Sequence, residues 1–82
     1  MMIELRAVRV DTGGPDEEGR LVFVADRLVA VLVQLSDQHQ ETAGQWFLEH
    51  GFGRLDRPRL PVFADLCAAQ RWIEYNLTDH SA

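Results

Sequence analysis

The 82-residue chain has one cysteine, no lysine and three prolines. A lone thiol, Cys67, cannot close an intramolecular disulfide, and one cysteine with three histidines is too few for an ordinary structural zinc site. A domain of this size buries only about 60% of the surface its unfolded chain exposes, so its stability is marginal without help. With disulfides and zinc excluded, oligomerisation is the remaining common remedy.

Other absences narrow the function. No apolar run reaches the roughly 20 residues needed to cross a bilayer, and there is no secretory signal, so a cytoplasmic protein with no membrane contact is expected. Basic charge is scarce: eight basic residues face thirteen acidic ones, for a net charge of −5. Nucleic acids and anionic membranes are bound through basic surfaces, so neither is an expected partner. All eight basic residues are arginine, a usage associated with GC-rich bacterial genomes. Gly13-Gly14 is followed by Pro15 rather than by a phosphate-cradling Gly-Lys-Ser/Thr. Ser36 and Ser81 lie in polar segments without a nucleophile elbow, so no Ser-His-Asp set is indicated. No cofactor is implied.

What the chain does have is an apolar run from Leu21 to Leu35, broken once by Asp26-Arg27 and rich in valine. Valine is stiff at its β-branch and suits a pleated surface. Folded back at Asp26-Arg27, the run makes two strands at about 20–25 and 28–35. With that turn one sheet face carries Leu21, Phe23, Ala25, Leu28, Ala30 and Leu32, and the other Val22, Val24, Val29, Val31, Val33 and Leu35. Both faces are apolar, so both should be covered.

Residues 2–10 alternate: Ile3, Leu5 and Ala7 on one side, Glu4 and Arg6 on the other. This is the pattern of a half-buried strand at a sheet edge, where the charges would discourage edge-to-edge pairing. Residues 11–19 are a Gly-Gly-Pro loop with an acidic tip. Residues 36–44 form a polar connection in which Asp37, His39 and Glu41 alternate, a weak metal-binding pattern lacking a fourth ligand. Residues 45–52 read as a fourth strand, with Trp46, Leu48 and His50 on one face and Phe47 and Glu49 on the other. Gly51 and Gly53 allow a bend as the chain leaves the sheet.

Residues 54–61 are irregular because of Pro58 and Pro61, and Arg54, Arg57 and Arg59 make them the one locally basic piece of the chain. Such arginines could take a carboxylate or phosphate, or be neutralised by Asp56 or the acidic loop. A helix follows at about 65–77, with Asp65 as N-cap and an apolar stripe of Leu66, Ala69, Ile73 and Leu77 flanked by Trp72. Cys67 in its first turn is the nearest approach to a reactive thiol, with no base assignable.

The expected fold is α+β: a four-stranded antiparallel meander and one C-terminal helix, ββββα. One helix covers one face of such a sheet, and nothing else in the chain is available for the second. The expected function is therefore a small non-catalytic interaction module, homodimeric through the uncovered face or docked to another protein. That interface would be either Val22, Val24, Val29, Val31 and Val33, or Leu21, Phe23, Leu28, Ala30 and Leu32. A different class of function, a small-molecule-binding protein or minor enzyme, would use a cleft among Trp46, His50, Phe52, Arg54, Arg57 and Arg59 near Cys67. An acidic neutraliser of a basic protein, in the manner of an antitoxin or immunity protein, is a third expectation.

Overall fold

The computed structural model describes residues 2–36 and 41–78. Strands β1 (Ile3–Arg9), β2 (Glu18–Val24), β3 (Arg27–Gln34), β4 (Trp46–Gly51) and β5 (Val62–Phe63) are followed by helix α1 (Leu66–Leu77). The strands form one sheet in sequence order, every neighbouring pair antiparallel. The fold is α+β, as the sequence predicts, with one strand more. The addition, β5, is two residues long and starts immediately after Pro61, whose carbonyl accepts a hydrogen bond from Leu48 N–H at 3.0 Å. Proline excludes a regular central strand but not a short edge strand, and β5 lies at the edge.

The β2–β3 hairpin turns one residue earlier than the sequence predicts. Ala25 and Asp26 have φ of 51° and 67°, the left-handed pair that a two-residue I′ turn requires. Val24 therefore opposes Arg27 and Phe23 opposes Leu28. A bulge then makes Val29 the extra residue, so that Val22 opposes Ala30, Leu21 opposes Val31 and Gly19 opposes Val33. This corrects both predicted face sets. Each mixes residues of the two real faces, because a one-residue slip in a period-two element exchanges them.

One real face carries Leu5, Val22, Ala30, Leu32, Leu48, Trp46 and Phe63, in register across five strands. Helix α1 lies on it, burying Ala69 and Ile73 fully, with Leu66, Trp72 and Leu77 packed around them. The helix starts where the sequence places it: the Asp65 carboxylate accepts the Ala68 N–H at 2.7 Å. A 3₁₀ turn, Gly53–Leu55, inserts Leu55 into the same core at 0% exposure. Gly51 makes that insertion possible. A Cβ there would come within 2.2 Å of the Leu55 carbonyl oxygen.

The other face carries Leu21, Phe23, Val31, Val33, Phe47 and Val62. None of these six belongs to the buried cluster beneath the helix.

Candidate functional site

The predicted cleft is taken apart by a bulge in β4. Val31 opposes His50 while Leu32 opposes Leu48, which leaves Glu49 as the extra residue. His50 is thereby turned to the face opposite Trp46 and Leu48, although simple alternation puts the three together. Trp46 is 6% exposed beneath the helix layer, with the Arg20 guanidinium 5.0 Å from its ring centroid. His50 is exposed and meets Phe52 edge-on, ring centroids 4.4 Å apart. Trp46, His50 and Phe52 therefore do not wall one pocket.

The arginines of the 54–59 segment divide in two. Arg54 Nη1 donates to the Leu77 carbonyl at 3.4 Å, and Arg57 Nη2 donates to Asn76 Oδ1. The Arg57 guanidinium also lies 5.8 Å from the Trp72 ring centroid. Helix α1 has no basic residue in its last turn. These two side chains supply from outside the positive charge that a helix C-terminus favours. Their use is thus explained by packing the irregular segment against the helix. Arg59 is exposed and shares an open cleft of about 500 Å³ with Arg57, Pro58, Pro61, Trp72 and Asn76.

Cys67 is exposed, and its sulfur accepts a hydrogen bond from Arg71 Nη2 at 3.7 Å. That hydrogen bond, and then the charge of the same sulfur, hold Arg71 above its usual range. Arg71 is a permanent cation and cannot serve the thiol as a base.

The acidic tip is engaged by β1, β2 and the segment after β3. Asp16 Oδ1 accepts the Ser36 N–H at 2.7 Å, Glu17 pairs with Arg9 at 2.6 Å and Glu18 with Arg20 at 2.7 Å. The Asp37 and His39 of the predicted metal pattern lie outside the described residues, and Glu41 is exposed. Among the described residues no three His, Cys, Asp or Glu side chains gather as a metal site.

What remains is the face away from the helix. Val33 and Phe47 are cross-strand neighbours at its middle, Phe47 opposes Val62 towards one edge, and Leu21 and Phe23 lead to β1 at the other. Val62 is 42% exposed. Gly19, opposite Val33, has no side chain, and methyls of Val10 and Val8 occupy the space of its missing Cβ, at 2.5 and 3.4 Å. At the β1 side the Arg6 guanidinium covers Phe23, 4.8 Å from its ring centroid, and pairs with Glu4. Met2, Glu4, Arg6, Phe23 and Asp26 line a shelf of about 720 Å³ there. The predicted interface omits Phe47 and Val62. Phe47 was legible, since it sits one residue from the buried Trp46 on a strand of period two.

No protein-family model, curated protein or solved structure matches the chain. Its surfaces therefore have to be judged by their own chemistry.

Proposed function

We propose that the chain is a small non-catalytic interaction module that closes its second sheet face against a protein, most simply another copy of itself. One observation supports this reading: Leu21, Phe23, Val31, Phe47 and Val62 stay partly or largely exposed around the buried Val33, an apolar strip across β2–β5 outside the core beneath the helix. A wet antiparallel face ordinarily alternates to polar residues, whereas this one keeps an apolar middle with Glu4 and Arg6 on β1 and His50 on β4 beside it. An isologous pair is the commonest soluble assembly and needs no second gene product. The net charge of −5 supports a protein partner over a nucleic acid.

Light scattering behind size exclusion, over a tenfold range of concentration, tests the reading. The expected mass is at least twice the 9.3 kDa of the chain. Val31→Glu, which places a charge in the middle of the face, is expected to lower that mass while circular dichroism stays unchanged. If Val31→Glu leaves the assembly intact, or the wild type is monomeric throughout, the second face is not closed by self-association.

A further inference from the structure

We propose that the free edge of the sheet is a second self-association site, where β1 pairs antiparallel with β1 of another copy about a two-fold axis at Leu5. The argument begins with which backbone groups are free. β1 is the edge strand, and Val10 N–H donates to the Glu17 carbonyl at 2.8 Å, continuing the β1–β2 register. By alternation, Val8, Arg6 and Glu4 also turn their backbone groups to β2. Those of Ile3, Leu5, Ala7 and Arg9 point outwards. An edge with outward groups at every second residue is a template for another strand.

Charge then selects the register. Only odd-numbered positions have free backbone groups, so the two-fold axis of a self-pairing falls on one residue of the strand. An axis at Glu4 sets Glu4 against itself, and one at Arg6 sets Arg6 against itself; like charges directly opposite are unfavourable. An axis at Ala7 gives the same five-residue overlap within β1 but sets Arg6 against Val8 and leaves both charges without a charged partner. The axis at Leu5 pairs Leu5 with Leu5 of the partner subunit and Ile3 with Ala7 of the partner subunit through backbone hydrogen bonds. It also brings Glu4 opposite Arg6 of the partner subunit, twice over. These are non-hydrogen-bonded positions, where side chains approach most closely. The edge charges that oppose indiscriminate pairing thus favour one register. Glu4 and Arg6 already pair within the chain, and the second copy would extend them into a four-membered network of alternating sign.

Pairing of this kind joins two sheets with their helix-free faces on the same side, the two apolar strips flanking a central stripe of Glu4 and Arg6. Closure of the joined face against another such pair gives a tetramer of D2 symmetry, a common closed form. The edge pairing stands on its own observations and does not require the face to be closed.

The test is made in a Val31→Glu, Cys67→Ser background, so that face association and the native thiol play no part. Leu5→Cys is expected to form a covalent dimer in glutathione redox buffer, because paired positions bring Cα atoms to about 5.5 Å, within disulfide reach. Ala7→Cys is expected not to cross-link with itself, but to cross-link in a mixture with Ile3→Cys. Should the cysteine variants fold poorly, charge reversal decides. Glu4→Arg and Arg6→Glu are each expected to raise the dissociation constant of the edge dimer by about tenfold or more. An equimolar mixture of the two is expected to recover association, since every close pair again joins opposite signs. Equal cross-linking by Leu5→Cys and Ala7→Cys, or a mixture no tighter than its components, overturns the proposal. An unchanged mass on Val31→Glu marks failure of the face, and absent Leu5→Cys cross-linking marks failure of the edge, so the two failures are read separately.

Discussion

Two backbone positions carry more of this fold than their side chains suggest. Gly51 lies opposite Ala30 in the sheet and beneath Leu55, so any Cβ is driven into the Leu55 carbonyl. Gly51→Ala is expected to cost about 2 kcal/mol or more, the scale of overpacking in a closed core. For a chain of this length each kcal/mol lowers the melting temperature by about 4–8 °C, which calorimetry resolves. The Ala25-Asp26 turn is the opposite case. Two residues with side chains occupy left-handed backbone at φ of 51° and 67°, where glycine sits freely, asparagine and aspartate less readily, and alanine is strained. Replacing them together, Ala25→Asn with Asp26→Gly, is expected to raise stability by about 1 kcal/mol, measured as a shift of the urea midpoint at unchanged slope. Neither effect involves the proposed interfaces, so both should appear equally in the Val31→Glu background.

The elements differ in how openly the chain announces them. The helix was legible from end to end: Asp65 caps it as expected, and the stripe Leu66, Ala69, Ile73 and Leu77 turns to the sheet. Asp65→Ala removes the acceptor of the Ala68 N–H and is expected to cost about 1 kcal/mol, checked by thermal unfolding with Asp65→Asn as a milder control. The strands were legible as strands but not in their pairing. Alternation in β4 places His50 beside Trp46, yet the extra residue Glu49 sends it to the other face, and Val29 does the same for β3. A bulge leaves no compositional trace that alternation could detect. The turn was misplaced because Asp26-Arg27 interrupts the apolar run as visibly as Ala25-Asp26, and only the backbone distinguishes them. The same limit undid the predicted ligand cleft, since Arg54 and Arg57 are engaged with the end of α1, some twenty residues away in the chain.

At the scale of the whole molecule the question is what closes the second face. One helix covers one side of a five-stranded sheet, and the remaining side keeps Phe23, Val31 and Phe47 partly exposed around the buried Val33. If face and edge both act, wild-type protein is expected to run at four times the 9.3 kDa chain, Val31→Glu at twice, and Val31→Glu with Glu4→Arg as monomer. Analytical ultracentrifugation distinguishes the three. Raising the salt concentration should loosen the edge more than the face, because exposed charge pairs are screened and apolar burial is not.

Composition and periodicity were enough to determine the class of this protein: antiparallel strands with one capped helix, and a single cysteine that cannot close a disulfide within the chain. Those properties follow from local preference and from counting, which need no partner in space. Which valines face the helix, where His50 points and which arginines are free were decided only in the tertiary structure. The first two depend on the bulges at Val29 and Glu49, because in an element of period two a shift of one residue exchanges the faces, and the third on contacts with the end of α1.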